Sequence, residues 1–153
     1  LLHEPLQQSW RYTDVSGDAG PYFRRRVVAR GAAAGDYDDD GDLDLFVVHL
    51  DQPSTLLRNE ATGHHWLQLL LRGTQDNRDG IGAHVRLRTG DLVQSAQRTS
   101  GAGYLSQSDP RLHFGLGDNV RVDSLEVRWP GGTTTVLVDV AVDRVILVTQ
   151  EDR

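Results

Sequence analysis

Gly35-Asp36-Tyr37-Asp38-Asp39-Asp40-Gly41-Asp42-Leu43-Asp44 places acids at alternate positions around a single glycine. A hard dication such as calcium takes six to eight oxygens at roughly 2.3–2.6 Å. Carboxylates at loop positions 1, 3, 5 and 9, with a main-chain carbonyl at position 7, can wrap such an ion. Those positions are Asp36, Asp38, Asp40 and Asp44, with the carbonyl of Asp42 between the last two. Gly41 falls at position 6, where the turn is sharp and a residue without Cβ is favoured. An EF-hand would need a bidentate Glu at position 12 and a helix on each side. Position 12 is Val47, inside the run Leu45-Phe46-Val47-Val48, which is β-branched and aromatic and reads as a strand. The expectation is therefore a calcium loop joining the strands of a β-hairpin. Six Asp lie within residues 36–44, and their mutual repulsion requires a counter-charge once the loop is folded.

Outward from the loop, Arg30 to Ala34 reads as the strand entering it and Leu43 to His49 as the strand leaving it. Thr55 to Asn59 follows as a third short strand, after the turn at Asp51-Gln52-Pro53-Ser54. Strand, loop, strand, turn, strand is the pattern of one β-propeller blade. Upstream, Trp10, Tyr12, Val15, Tyr22 and Phe23 are expected to anchor short strands around the turn at 16–21.

Composition changes after the polar connector 60–65. Trp66 to Arg72 reads as a largely buried strand. Ala83 to Arg88 alternates, with Ala83, Val85 and Leu87 on the apolar face. Leu92 to Arg98, Leu112 to Leu116, Val122 to Trp129, Thr133 to Val140 and Arg144 to Thr149 complete seven short strands. With no helical periodicity, that spacing predicts a β-sandwich. Leu125, Val127 and Trp129 share a face, and Trp129 is expected in the core. The fold class is thus all-β, a propeller-type blade over 1–65 followed by a sandwich over 66–153.

Composition excludes several functions. The chain of 153 residues has a formal charge of −6, which disfavours nucleic acid as a partner. No apolar run approaches the ~20 residues needed for a membrane span. All 16 basic residues are Arg, a bias of source rather than a site. Without Cys there is no disulfide, thiolate metal site or Cys nucleophile. The chain lacks Met and any signal-peptide pattern, and reads as the C-terminal portion of a longer protein.

Two stretches resemble known families. Gly31 through Asn59, with Asp36-x-Asp38-x-Asp40-Gly41-x-x-Asp44-Leu45 and the trailing Leu56-Leu57-Arg58-Asn59, is similar to an FG-GAP/VCBS repeat, the calcium-loop blade of integrin-like propellers. Repeat folds need about three or more neighbours to bury their faces, so a single blade must pack either on missing blades or on the segment C-terminal to it. Residues 66–150 resemble an ASPIC/UnbV domain through Asn77-Arg78-Asp79-Gly80-Ile81-Gly82-Ala83, Gly103-Tyr104-Leu105-Ser106-Gln107, His113-Phe114-Gly115-Leu116-Gly117 and Val127-Arg128-Trp129-Pro130-Gly131. The resemblance implies an extracellular or periplasmic module for interaction or adhesion, without catalytic residues.

Residue chemistry agrees with a non-catalytic reading. Glycoside hydrolysis needs two acids facing each other across a cleft at roughly 5–9.5 Å, whereas the Asp cluster is contiguous and Glu126 lies on an outward face. His84 and His113 are expected on outward faces and His64-His65 in a connector, none with zinc-site spacing. Ser100, Ser106 and Ser108 lack a nucleophile elbow. Two polar loops, Asp76-Asn77-Arg78-Asp79 and Ser106-Gln107-Ser108-Asp109, could form a recognition patch at one end of the sandwich. Their Asn and Asp also serve as turn caps, and that structural role is favoured. Tyr104 is expected to pack under its loop. Partners would be an extracellular protein or glycan, together with the other propeller blades. A carbohydrate module using Trp66, Tyr104 or Trp129 as a platform, or part of a hydrolase or lyase active upstream, are the alternatives.

Overall fold

The computed structural model describes residues 13–61 and 63–151. Ten strands carry the fold: β1 (Ala29–Gly35), β2 (Asp44–His49), β3 (Thr55–Leu57), β4 (His65–Arg72), β5 (His84–Thr89), β6 (Leu92–Gln97), β7 (Leu112–Gly117), β8 (Arg121–Arg128), β9 (Thr134–Ala141) and β10 (Arg144–Thr149). They form a three-stranded sheet β1-β2-β3, a second three-stranded sheet β10-β4-β7, and a four-stranded sheet β6-β5-β8-β9. The chain is all-β, and no closed propeller is present among the described residues.

The seven later strands make the sandwich that the spacing predicts. Leu67, Leu69 and Leu71 of β4, Phe114 and Leu116 of β7, and Val148 of β10 meet Val85 and Leu87 of β5 and Val122, Leu125 and Val127 of β8 in one core. Trp129 closes it, with its indole Nε1 donating to Thr135 Oγ1 at 2.9 Å. Period-two alternation explains the choice of faces, since i and i+2 share a side of a strand. The pairing of β10 is less apparent from sequence. It lies parallel to β4, Arg144 opposite Leu67 and Thr149 opposite Arg72. Asp143 begins this pairing, its N–H donating to the Trp66 carbonyl (2.7 Å) while its carboxylate receives the Trp66 N–H (3.2 Å).

β1 and β2 form an antiparallel hairpin closed by Gly35 opposite Asp44, and β3 adds to β2 with Leu56 opposite Phe46. This sheet buries little apolar surface of its own: Val47 is buried, whereas Phe46, Val48, Leu50 and Leu56 are exposed.

The start of the described chain differs from expectation. Tyr22 and Phe23 lie in a 3₁₀ turn (Pro21–Arg24), not a strand, and Val15 is exposed in a turn. Pro21, at the head of that turn, has its φ preset for helical geometry. Tyr22 donates through its hydroxyl to His49 Nε2 (2.9 Å), and His49 Nδ1 donates to the Pro53 carbonyl (2.8 Å), tying this turn to the end of β2. Trp10 and Tyr12 lie outside the described residues.

Candidate metal centre

The acidic loop is the β1–β2 connection, and its carboxylates fold it. Asp36, 2 % exposed, accepts the Asp40 N–H on Oδ1 (3.1 Å) and the Gly41 N–H on Oδ2 (2.9 Å). Asp44, equally buried, accepts the Tyr37 N–H (3.0 Å) and the Asn59 N–H (2.8 Å), pinning the loop to the segment just after β3. Asp40 Oδ1 accepts the Asp42 N–H (2.9 Å). Asp39 has φ 58° and Gly41 φ 97°. Asp tolerates the first by its short polar side chain, and the second is glycine territory.

Asp36, Asp38 and Asp40 each offer an oxygen within 4.8 Å of the other two. Oxygens on opposite sides of one calcium ion stand roughly 4.6–5.2 Å apart, so the three can share an ion. Asp38 Oδ1 is buried without a hydrogen-bond partner among the described residues, the condition a cation would relieve. Desolvation raises the Asp38 carboxyl pKa, opposed by Arg58 and reinforced by Asp40 and Asp44. The Asp42 carboxyl is raised by desolvation and by Asp40, Asp36 and Asp44, with His113 opposing. Asp42 and Asp44 stand outside the three-oxygen cluster, and both oxygens of Asp44 hold main-chain N–H groups.

The chain supplies part of the counter-charge itself. Arg58 Nε lies 3.0 Å from Asp38 Oδ2, and Nη2 3.8 Å from Asp40 Oδ2. Arg111 Nη1 donates to Asp39 Oδ1 (2.6 Å), and Nη2 donates to the Asp36 carbonyl and to Asp109 Oδ2 (both 2.6 Å). Two guanidiniums stand against the six loop carboxylates, and Arg111 is shared with Asp109, so negative charge remains in excess.

The loop rests on the outer face of sheet β10-β4-β7. Gln68 and His113 are cross-strand neighbours on that face. Gln68, 1 % exposed, donates through Nε2 to Asp36 Oδ2 (2.6 Å), and His113 Nε2 donates to the Gly41 carbonyl (3.0 Å). A Cβ on Gly41 would enter the Trp66 indole. The alternation of β7 correctly turns His113 away from the core, but the outward face here is covered by the loop, so the residue is only partly exposed. Burial lowers its pKa, outweighing the pull of Asp36 and Asp42. Gln68, Trp66 and Arg111 carry no signal in the sequence for these roles, which exist only once the sheet and loop are docked. Arg58 lies within the blade-like run Leu56-Leu57-Arg58-Asn59, where spacing alone gives it no role.

The two polar loops emerge at the same end of the sandwich and make mostly internal contacts. Asn77 accepts the Ile81 N–H (2.6 Å) and donates to the Ile81 carbonyl (2.8 Å). Asp76 Oδ2 accepts Gln150 Nε2 (2.8 Å) and the Gly131 N–H (3.1 Å). Asp79 and Gln107 are both exposed, and Ser106 Oγ donates to the Tyr104 carbonyl (2.8 Å). Ser108 Oγ accepts the Ala34 N–H (3.2 Å) and the Asp109 N–H donates to the Ala34 carbonyl (2.9 Å), so this loop covers the free edge of β1. Tyr104 does not pack under it. The Gly103–Ser106 bridge closes a tight turn whose underside is taken up against β1, leaving Tyr104 71 % and Leu105 89 % exposed.

Asp109 gives a pH prediction. Partial burial would raise its carboxyl, but the hydrogen bonds and charge of Arg111 prevail and hold it below the ordinary value. Its stabilisation is present above the unfolded value, about 3.9, and is lost as pH falls through the lower folded value. Asp38 and Asp42 have the opposite sign in metal-free protein: raised in the fold, they contribute below about pH 3.9 and lose that contribution as pH rises. Melting temperatures of Asp109→Asn between about pH 6 and pH 2.5 are expected to fall less steeply on the acid side than those of the parent. Parallel curves would remove Arg111–Asp109 as an acid-sensitive tether.

Residues 73–153 match the family described as ASPIC and UnbV. The chain belongs to the ASPIC and UnbV family. That match takes in the polar loops, strands β5 to β10 and the Trp129 hairpin. Human and mouse cartilage acidic protein 1 are each 36 % identical to it over 107 residues, 67 % of this chain and 16 % of theirs. Cartilage acidic protein 1 of Xenopus tropicalis gives the same figures. The aligned stretch is longer than the family match, so the likeness continues upstream of Gly73. The aligned region spans about one sixth of the length of these relatives.

Proposed function

We propose that this ASPIC and UnbV chain is a non-catalytic, calcium-stabilised binding module that works outside the cytoplasm, as part of a propeller-bearing protein. The observation that carries the reading is the approach of Asp36, Asp38 and Asp40 oxygens to one another, beside a buried, unpartnered Asp38 Oδ1. Calcium there would supply charge neutralisation, and the chain's own residues would supply the rest: Gln68, His113 and Arg111 hold the loop on the sandwich. The ion then acts on architecture, fixing an FG-GAP-type blade against the family domain. Extracellular calcium suits sites of roughly 10⁻⁴–10⁻³ M affinity. The exposed Phe46, Val48 and Leu56 face of β2 and β3 supports the presence of a neighbouring blade in the full protein.

Calorimetry with calcium and with chelator tests this. An ion ~100-fold above its Kd stabilises the native state by about 2.7 kcal/mol, so chelation is expected to lower the melting temperature by roughly 5–10 °C for a domain of this size. No change on chelation would sink the calcium reading. Asp40→Ala is expected to abolish calcium binding, and Asp39→Ala, which removes an exposed carboxylate paired with Arg111, to leave it nearly intact. Equal losses in both would show that the alternate-position assignment is wrong.

A further inference from the structure

The four-stranded sheet turns its outer face to solvent, and that face carries a charge opposite to the chain's own. Along β5, His84, Arg86 and Arg88 point outward in succession, and Arg128 of β8 lies opposite His84. Outward residues of one strand repeat at about 6.6–6.8 Å, and neighbouring strands are about 4.8 Å apart. The three guanidiniums are thus spread along about 13 Å of rigid backbone, with Glu126 opposite the middle one. Among the described residues none of the Arg86, Arg88 and Arg128 side chains has an ion-pair or hydrogen-bond partner, although Glu126 is the cross-strand neighbour of Arg86. The other neighbours in register are neutral: Ser95 opposite Arg86 and Val93 opposite Arg88 on β6, and Ser124 opposite Arg88 on β8. Two open cavities, about 320 and 230 Å³, run along the face and share Arg86 and Glu126. Glu126 is the one acid lining either.

We propose that this face binds an acidic polysaccharide, its guanidiniums taking the carboxylate or sulfate groups and its hydroxyl and amide side chains the sugar hydroxyls. The proposal deepens the binding-module reading and rests on it. Guanidinium forks match planar or tetrahedral oxyanions through paired N–H groups. Two cavities in line suit a chain ligand that repeats its charge, whereas one compact anion would use only one of them. Neither cavity is lined by Phe, Tyr or Trp, so stacking on an uncharged sugar is poorly provided for, and charge must supply the affinity. The net −6 of the chain does not forbid it, because acids farther off than a Debye length, about 8 Å at physiological salt, are largely screened. Trp66 and Trp129, the alternative platforms, are taken up by Gly41 and by the core.

The test is titration of the intact chain with dextran sulfate and with hyaluronan, against uncharged dextran and poly-L-glutamate. Saturable binding to at least one acidic polysaccharide is expected, weakened at least about tenfold between roughly 0.1 and 0.5 M salt, with none to dextran. Arg86→Gln/Arg88→Gln is expected to weaken it at least about tenfold with an unchanged melting temperature, and Arg30→Gln, exposed on β1, to leave it intact. Because the face lies on the sheet opposite the loop, binding is expected to persist in chelator; failure of the calcium reading would then leave this result standing, and the reverse. No binding, retention of full affinity in the double variant, or equal affinity for poly-L-glutamate would overturn the proposal.

Discussion

Gly41→Ala is expected to destabilise the protein by about 2–5 kcal/mol, among the largest effects of any single methyl group in this chain. Two costs add. At φ 97° an L side chain meets the following carbonyl, at about 1–2 kcal/mol. The new Cβ would also enter the Trp66 indole, a flat ring backed by β4, and overpacking of that kind costs about 1–3 kcal/mol. Gly132→Ala separates the terms. Gly132 has φ 88° in the hairpin after Trp129, held by its N–H to the Trp129 carbonyl (2.9 Å), and a Cβ there meets nothing within 4 Å. It should therefore show only the strain. Urea unfolding of both variants, in chelator, measures the difference. Equal losses would mean that Trp66 yields freely and does not seat the loop. In a Trp66→Ala background the Gly41→Ala loss should shrink toward that of Gly132→Ala, since the clash is removed and the strain is not.

Strand positions are legible because burial on one face writes a period of two into the sequence: Ala83, Val85 and Leu87, or Leu125, Val127 and Trp129, can face only one core. The acidic hairpin loop is legible for a different reason, since Gly41 and the alternating Asp residues have few other uses in that order. Hidden from the sequence is everything that depends on two distant segments meeting. Gln68 sits among leucines and gives no sign that it will be buried on the far side of its strand against Asp36. Arg111 is one of sixteen arginines, yet among the described residues it alone bridges Asp39, Asp109 and the Asp36 carbonyl. The parallel pairing of β10 with β4 is hidden too, because alternation fixes which side faces the core and not which neighbour supplies the hydrogen bonds. At the other extreme, Tyr22 and Phe23 carry strand propensity that Pro21 overrides locally. Tyr104 has the composition of a core residue, but a four-residue turn leaves it no cavity to enter.

These contacts narrow the need for an ion. Charge repulsion alone would demand a cation, but Arg58 and Arg111 already meet Asp38, Asp40 and Asp39 from outside. What they leave is an inward requirement: Asp38 Oδ1 is buried, and Arg58 reaches the other oxygen of that carboxylate. Under the proposed calcium reading the carboxylates therefore divide their work, some of it on backbone N–H groups and some on the ion.

Asp36→Ala exposes that division, and is expected to cost about 3–5 kcal/mol even with all calcium removed. Its carboxylate receives the N–H groups of Asp40 and Gly41 and the amide of Gln68. Orphaning a buried donor costs about 1–3 kcal/mol each, and of these the Gln68 amide is the most deeply enclosed. With calcium present the loss should grow by the ion's whole contribution, about 2.7 kcal/mol at ~100-fold saturation, because a ligand has gone as well. Asp38→Ala should behave otherwise. Its Oδ1 serves no donor, so in chelator the substitution costs little beyond the Arg58 pair, while calcium binding disappears. Unfolding free energies of the two variants with and without calcium form a complete cycle. If Asp36→Ala matches the parent in chelator, the loop is held by the cation alone, and the hydrogen bonds to Gln68 and Gly41 are incidental to its seating on the sandwich.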